Sequence, residues 1–416
     1  MQTDSFFSLI LQMLMKTNLL SLFIGILVLS CVRTHSDNET NELSTITISC
    51  KKNQLLNLSE FADSIEIIPL ETKDDCLIGW IPRIIATSDR YYLSSAIGYK
   101  HRKLLVFDKQ GRFIRQIGKE GQGAQEYIEM KDFTLLNDSI IMLSEVYNMA
   151  SFNLNGDFIR KEKQAETPLE IYSLKGKIFT STFLPSKCDN HLLRVLDNNG
   201  RFISYALKLS PLEAHVSGNI VGDAGFTSDK DCIYYTYPYS SIIYKLNVET
   251  LNHEPAYRLD YGKRNVSWKI FEEYDYTEWQ ERLRQNNDYM AVNGILDMGD
   301  KMIINSADGD HLFYFSIYSK ETGKVLCGQK LRDDLFFKGN QMNLKAFMLP
   351  HCADGEWLLW TIQPGIILKG YHAYREALGE TKWKLFRKKY PRLVEVCEQL
   401  DEESNPVLLK IKIKDF

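Results

Sequence analysis

Three short segments of the sequence carry residue types that can bind a ligand or attack a substrate. Glycines within 118–123 have the spacing of a phosphate-binding loop, but they follow a predicted hairpin and no helix opens after them. Ser49 and Lys52 match the Ser-x-x-Lys pattern of some hydrolases, although the partner motifs are missing. Residues 308–311 offer two carboxylates to a cation, yet calcium needs further oxygen ligands, so a polar turn is favoured.

Histidine and cysteine patterns do not indicate a metal site. The eight histidines are dispersed, without a His-Glu-x-x-His motif or a pair at helical spacing. The eight cysteines are also scattered, and none forms a Cys-x-x-Cys pair. We therefore predict no metal, no cofactor and no disulfide framework, and we expect most cysteines to be small buried side chains.

The amino terminus predicts export. Lys16 precedes an apolar run over 19–29, which is shorter than the roughly 20 residues that a membrane span needs. A positive start, a short apolar stretch and a small residue before the cut are typical of a secretory signal. Here the small Ser30 is followed directly by Cys31, an order that resembles the bacterial lipobox. That resemblance implies that Cys31 is lipidated and becomes the first residue of the mature protein.

The same region sets the boundaries of the mature chain. Residues 6–14 are already apolar and make a poor positive start, so we predict Met15 as the true start and 1–30 as the signal peptide. The segment 31–45 is polar and is expected to be a lipidated, flexible tether. An uncleaved anchor helix that uses both apolar stretches is the alternative. A lipid would anchor the protein to the cell envelope, with the outer membrane favoured and its periplasmic or surface face left open.

Composition limits the class of protein. The 416 residues include 50 Lys and Arg and 54 Asp and Glu, a net charge of −4 that opposes nucleic-acid binding. Hydrophobic residues make up 44% and charged residues 25%, as in ordinary globular chains. The 22 Tyr and 21 Phe, set against only 11 Pro, favour strands over linkers.

A strand–turn–strand pattern repeats along the chain. In its clearest copies an Asp or Asn opens a tight turn and a Gly closes it, because Asp accepts local backbone bonds and Gly takes positive φ. The turn residues Asp108, Asn153, Asp197 and Asn247 lie 45, 44 and 50 residues apart. Four-stranded units at this spacing are typical of β-propeller blades.

We therefore predict an all-β fold, a six-bladed β-propeller over 46–416. The predicted blades are 81–117, 132–161, 169–209, 222–261, 291–331 and a sixth that begins near 344–349. The sixth blade would use strands 65–70 and 407–413, so that pairing of amino- and carboxy-terminal strands closes the ring and removes exposed edges. Seven blades is the rival count.

Two small helical insertions interrupt the strands. Residues 267–287 have amphipathic spacing, and 371–404 are rich in helix-forming residues. Within the second, 383–390 is basic and aromatic. It could face a membrane or a glycan, but aromatic packing with solvated lysines is favoured.

Three segments together resemble a known family. They read SIEIIPLET at 64–72, VFDKQGRFIRQIGKEGQGAQEY at 106–127 and SNPVLLKIKIK at 404–414. They are similar to six-bladed β-propeller lipoproteins of Gram-negative gut bacteria and, more distantly, to NHL-repeat propellers. The likeness covers 46–416, although Ala124 and Gln125 replace the family's usual Pro-Gly pair. It implies a fold and an envelope location, and it implies no general activity.

A propeller places ligand sites in its central funnel, where the innermost strands present their side chains. The predicted register puts six polar residues there, namely Arg83, Lys131, Glu170, Asp223, Asn293 and Lys345. They could bind a ligand or merely solvate the channel mouth, since a fold does not specify a function.

Two functions follow. The favoured one is a lipid-anchored, non-catalytic binding or scaffold protein for a glycan, a peptide or an envelope protein. The alternative is a propeller enzyme, either a metal-dependent lactonase-like hydrolase or a polysaccharide lyase, with its site in the funnel. Only Glu170 and Asp223 would supply carboxylates there, which favours binding.

Overall fold

The described part of the chain begins with three strands that join three different sheets. The computed structural model describes residues 43–98, 101–182, 184–218, 225–237, 239–285, 289–335, 337, 340–343 and 350–416. The first strands are β1 (Ser44–Thr47), β2 (Leu55–Asn57) and β3 (Ala62–Pro69), and one helical turn, Leu58–Phe61, lies between β2 and β3. Strand β1 therefore begins inside the segment 31–45 that was predicted to be a tether.

Three antiparallel sheets of four strands follow, each built from consecutive strands. Sheet 1 contains β4 (Ile84–Ala86), β5 (Arg90–Ile97), β6 (His101–Asp108) and β7 (Phe113–Ile117). Sheet 2 contains β8 (Met130–Leu136), β9 (Ile140–Glu145), β10 (Asn148–Asn153) and β11 (Phe158–Lys163). Sheet 3 contains β12 (Ile171–Leu174), β13 (Lys177–Ser181), β14 (His191–Leu196) and β15 (Phe202–Lys208).

The next two sheets repeat this order. Sheet 4 contains β16 (Phe226–Ser228), β17 (Cys232–Tyr235), β18 (Ile242–Asn247) and β19 (His253–Asp260). Strand β1 extends sheet 4 by pairing in parallel with β19. Sheet 5 contains β20 (Met290–Asp297), β21 (Lys301–Asp308), β22 (Phe313–Ser319) and β23 (Val325–Gly328). A three-stranded sheet then joins β2 to β24 (Lys330–Asp333) and β25 (Asn340–Asn343).

Sheet 6 combines the early strand β3 with the last three strands of the described chain. It contains β26 (Cys352–Asp354), β27 (Trp357–Ile362), β28 (Val407–Ile413) and β3, in that order. Strand β28 pairs antiparallel with β27 on one side and with β3 on the other. The predicted presence of segments 65–70 and 407–413 in one sheet is therefore observed, whereas the first described strand, β1, joins sheet 4. The predicted first strand, 344–349, lies outside the described residues, and β26 is the edge strand of this sheet.

Five helices of more than one turn lie between the described strands. They are α1 (Pro211–Gly218), α2 (Lys269–Glu273), α3 (Tyr276–Gln285), α4 (Pro364–Lys389) and α5 (Pro391–Gln399). Helix α1 was not predicted, and α4 begins ahead of the predicted 371 and bends at Gly379. Trp383 and Phe386 of α4 are buried and stacked, so the aromatic side of the basic stretch packs inward. No helix in the described ranges has the length and apolar character of a membrane span.

The repeated turns form as predicted. Asp108 accepts the backbone N–H groups of Gln110 and Arg112 on one carboxylate oxygen, both at 2.9 Å. The amide oxygen of Asn153 and a carboxylate oxygen of Asp197 each accept the two corresponding N–H groups in the turns of sheets 2 and 3. The glycine that closes each of these turns has positive φ, as a tight turn of this kind requires.

The apolar core is divided into layers between sheets. A layer lies between each two consecutive sheets from 1 to 6, and another lies between sheet 6 and sheet 1. Because successive side chains of a strand point to opposite faces, Leu358 enters the layer against sheet 5 and Leu359 the layer against sheet 1. Sheet 6 is therefore buried on both faces.

Candidate functional site

The first strands of the sheets lie close together. Strand β8 contacts β12, β16 contacts β20, and β26 contacts both β20 and β4. Four of the six predicted funnel residues lie on or directly before these strands, namely Arg83, Lys131, Glu170 and Asn293. The predicted ligand residues Asp223 and Lys345 and the predicted lipidation site Cys31 lie outside the described residues.

Arg83 ties three sheets together. Its guanidinium forms an ion pair with the Asp132 carboxylate on β8 and donates to the Ile171 carbonyl on β12 at 2.8 Å. The same oxygen of Asp132 accepts the N–H of Ile171 at 2.8 Å. The guanidinium also lies 6.0 Å from the ring centroid of Tyr172, whose hydroxyl reaches Ser228 of sheet 4 at 2.5 Å.

This ion pair is largely shielded from water. The side chains of Arg83 and Asp132 are 22% and 12% exposed. Burial raises the pKa of Asp132 above its ordinary value, while Arg83 and the Ile171 N–H oppose the rise. Both charged groups are thus used within the protein, and the pair crosslinks sheets 1, 2 and 3.

The other predicted residues do not converge on this pair. Lys131 lies in a bulge of β8 and binds Glu129 at 2.5 Å. Glu170 lies close enough to Tyr235 of sheet 4 for its charge to contribute to the raised pKa of that tyrosine, which is due first to burial. Asn293 lies in a bulge of β20 and is half-buried. Lys131, Glu170 and Asn293 therefore each have surroundings of their own, and their role in ligand binding stays a prediction.

Serines of the second strands stabilise this region. The backbone N–H of Arg83 donates to Ser94 at 3.1 Å, and that of Asp132 donates to Ser144 at 2.9 Å. Ser181 has the same relation to the corresponding position of sheet 3. Each serine hydroxyl accepts a backbone N–H group at the irregular start of a first strand, where the sheet offers no carbonyl partner. The sequence pattern did not indicate this role of the serines.

The motifs considered from the sequence are also used internally. The Gly123 N–H donates to the Glu126 carboxylate at 2.8 Å, so an acidic side chain fills the position that a phosphate would need. Asp308 accepts the Tyr314 hydroxyl at 2.7 Å and the N–H groups of its own turn. Among the residues that the structure describes, no three His, Cys, Asp or Glu side chains are grouped so that they could hold a metal ion.

A cavity of about 390 Å³ lies between sheet 6 and sheet 1. Its lining comes from five strands and two turns, namely Glu66, Ile68, Ser88, Tyr91, Lys109, Asp354, Trp357 and Lys410. None of these residues was predicted to be functional. Glu66 and Lys410 face each other across the β3–β28 pair, so the cavity lies on the sheet that joins β3 to the last strand of the chain.

The cavity has two ammonium groups and two carboxylates. Lys109 binds Asp354 at 2.9 Å. Lys410 lies 3.4 Å from Glu66 and 3.9 Å from Asp354. Formal charge therefore sums to zero within the lining, and Asp354 joins the two lysines into one network.

Two aromatic rings complete the cavity. The Lys410 ammonium lies 4.8 Å from the ring centroid of Trp357, and the Lys109 ammonium lies 4.3 Å from that of Tyr91. Tyr91 is fully buried, and its hydroxyl has no hydrogen-bond partner among the described residues. Burial, and then the charge of Asp354, raises the pKa of Tyr91, so the hydroxyl stays protonated.

The chain is similar to proteins of known sequence or structure. A family model described as "Domain of unknown function (DUF4934)" matches residues 43–412, and no curated protein matches the chain. A solved protein described as exported, from Bacteroides fragilis NCTC 9343, is similar with a TM-score of 0.67 at 16% identity, over 89% of this chain and all of that one.

Two further structures are less similar. BamB from Moraxella catarrhalis has a TM-score of 0.35 at 13% identity, over 63% of this chain and 66% of that one. The extracellular domain of a hybrid two-component system from B. thetaiotaomicron has a TM-score of 0.36 at 9% identity, over 63% of this chain and 29% of that one. Of the three, the first alone bears on the fold.

Proposed function

The chain belongs to the DUF4934 family, and from this premise we propose that it is a lipid-anchored, exported β-propeller that binds a ligand without altering it chemically. The ligand is a glycan, a peptide or part of an envelope protein. Its site is the cavity between sheet 6 and sheet 1, in place of the central funnel that the sequence indicated.

The propeller proposal rests on the order in which the sheets pack. Apolar layers join sheets 1 to 6 in sequence and join sheet 6 again to sheet 1, which is the neighbour relation of a six-bladed ring. Strand β28 lies between β27 and β3, which supports closure by the two termini. In this arrangement the protein would be a six-bladed propeller similar to NHL-repeat propellers.

The cavity is the observation that carries the binding proposal. It combines a fully buried tyrosine, a tryptophan and paired charges at one opening between two sheets, so aromatic surface and polar groups are available in one place to a small ligand. The funnel alternative, an enzyme, would need groups that are available to a substrate. Arg83 and Asp132 are instead bonded to each other and to Ile171.

The proposed location rests on the sequence order at Cys31 and on the likeness to an exported protein. We expect labelled palmitate to be incorporated by the wild type and to be lost from Cys31→Ala, with the protein leaving the outer-membrane fraction. Cys50→Ala is the matched control and should keep the label. Label retained by Cys31→Ala would refute lipidation at this residue.

The binding proposal is tested with the full-length lipidated protein in detergent. Its melting temperature is measured against panels of oligosaccharides, peptides and envelope-protein fragments, and each stabilising ligand is recovered and analysed by mass spectrometry. We expect one class to stabilise the wild type and to be recovered unchanged. Recovery of a converted product would support the enzyme alternative instead.

Two neighbouring variants locate the site. Lys109→Ala removes a lining ammonium, whereas Gln110→Ala changes the next residue of the same turn, which does not line the cavity. The stabilisation should be lost from the first variant and kept by the second. Equal stabilisation of both would show that the ligand binds elsewhere.

A further inference from the structure

We propose that the ligand of the cavity between sheets 6 and 1 is an uncharged sugar unit. This inference rests on the proposed function, in which that cavity is the ligand site. Three properties of the lining support it: its charge balance, its buried hydroxyl and its aromatic wall.

The charge balance disfavours a charged ligand. Lys109 is compensated by Asp354, and Lys410 by Glu66 and Asp354. An added anion or cation would enter a partly buried site in which no opposite charge is left over, and its desolvation would not be repaid. A neutral polyol adds no charge to this network.

Sugar hydroxyls match the hydrogen-bonding groups of the lining. Each hydroxyl can donate one hydrogen bond and accept others, so it can donate to a carboxylate and accept from an ammonium at the same time. Glu66 and Asp354 offer acceptors, while Lys109 and Lys410 offer donors, and all four line one cavity. Adjacent hydroxyls on one ring can bridge such alternating groups without breaking the ion pairs.

The hydroxyl of Tyr91 is a further hydrogen-bonding group beside the cavity. Tyr91 is 0% exposed, lines the cavity and has no hydrogen-bond partner in the described part of the chain. A buried polar group without a partner carries a free-energy cost. A sugar hydroxyl that reaches the Tyr91 hydroxyl through a small shift of the lining side chains removes that cost. The tyrosine hydroxyl can donate to or accept from that group, so a sugar hydroxyl suits it in either orientation.

The wall of the cavity supplies the apolar part of the contact. Trp357 and Ile68 line the same space, and a sugar presents C–H groups on its ring faces that can pack against such side chains. A volume of about 390 Å³ lies near the lower end of the range for small-ligand pockets. The cavity therefore suits one or two sugar units at the end of a chain better than an extended polymer.

Titration calorimetry with the full-length protein tests this inference. The probes are glucose, galactose, mannose, N-acetylglucosamine and their disaccharides, together with glucuronate and glucosamine as charged counterparts. At least one neutral sugar is expected to bind, and its charged counterpart should bind at least tenfold more weakly. Equal or tighter binding of the charged counterpart would overturn the inference.

Two tyrosine variants provide the matched comparison. Tyr91→Phe removes only the cavity hydroxyl and should weaken sugar binding about three- to tenfold, without lowering the melting temperature. Tyr92→Phe changes the adjacent residue, which packs toward sheet 2, and should leave the affinity unchanged. Unchanged affinity in Tyr91→Phe contradicts the inference. If that variant misfolds, Lys109→Ala is measured instead, with the same expected loss.

The outcomes separate this inference from the proposal beneath it. If no neutral sugar binds but a peptide stabilises the wild type and not Lys109→Ala, the sugar inference fails and the binding function stands. If no ligand of any class depends on Lys109, both fail.

Discussion

Replacement of Ile411 tests the role of the terminal strand β28. Ile411 is fully buried and lies in the layer between sheet 6 and sheet 5. Its neighbour Lys412 points to the opposite side of the strand and pairs with Glu356 at 2.9 Å near the surface. The variants Ile411→Ala and Lys412→Ala therefore perturb adjacent positions of one strand, one in the core and one in solvent.

The magnitudes follow from burial. Loss of a buried isoleucine side chain to alanine costs about 2–5 kcal/mol, because it removes apolar contacts and leaves a cavity. An exposed ion pair contributes at most about 1 kcal/mol, and Glu356 is 74% exposed. Deletion of 405–416 is more severe, since five aliphatic side chains of β28 are buried: Val407, Leu408, Leu409, Ile411 and Ile413. At about 1.5–3 kcal/mol each, their loss is comparable with the whole stability of a typical protein.

Urea unfolding followed by tryptophan fluorescence measures these effects. We expect Ile411→Ala to lower the free energy of unfolding by at least about 2 kcal/mol and Lys412→Ala by less than about 1 kcal/mol. The truncated chain should aggregate or fail to fold. A soluble truncated protein that unfolds like the wild type would show that β28 is not needed to complete sheet 6, and the proposed ring closure would fall with it.

Three other predictions concern buried polar groups and thiols. Burial raises the pKa of Asp132, so its carboxyl group ionises at a higher pH in the folded protein than in the unfolded chain. The free energy of unfolding of the wild type should therefore fall as pH rises from about 4 through that raised pKa. Asp132→Asn should lack this fall in unfolding measurements across acid pH. Arg83→Met leaves the Asp132 charge buried without its partner and should lower the free energy of unfolding at pH 7 by about 3 kcal/mol, measured in urea. The Cys50 thiol contacts Cys327, and this contact lowers the pKa of Cys327 and favours its reactive thiolate. Mild oxidation with diamide should therefore join these two cysteines in peptide mass spectra and leave the buried Cys397 unmodified; a crosslink elsewhere would contradict this contact.

Local features were predictable from the sequence because neighbouring residues determine them. The turn at Asp108 needs only a carboxylate that accepts two nearby N–H groups and a glycine with positive φ. The spacing of such turns then located the four-stranded sheets. Pairing of β28 with β3 was also accessible, because alternating apolar residues at both ends of the chain needed a partner strand.

The surroundings of the predicted funnel residues were harder to predict from the sequence, because a bulge changes which face of a strand a side chain points to. A bulge in β8 places Lys131 beside Glu129, while the next residue, Asp132, pairs with Arg83. Asn293 lies in a similar bulge of β20. A one-residue irregularity reverses the facing of a strand, and no turn signal in the sequence marks it.

The cavity could not be found from the sequence, since its residues come from segments far apart in the chain. Glu66 and Lys410 are brought together only by pairing of the terminal strands, and Lys109 and Tyr91 belong to another sheet. Each of these residues is ordinary in its own segment. The site exists through packing of sheet 6 on sheet 1, an arrangement that no local pattern encodes.

If the cavity is the ligand site, its position links ligand binding to the pairing of β3 with β28. A ligand that contacts Glu66 and Lys410 spans β3 and β28, and one that also contacts Lys109 joins sheet 6 to sheet 1. Because the cavity forms only when these elements are assembled, a ligand stabilises the folded state by mass action, by about 2.7 kcal/mol at one hundred times its dissociation constant. Ligand binding and the pairing of β3 with β28 then depend on the same folding equilibrium, because separation of these two strands also separates the residues that line the cavity.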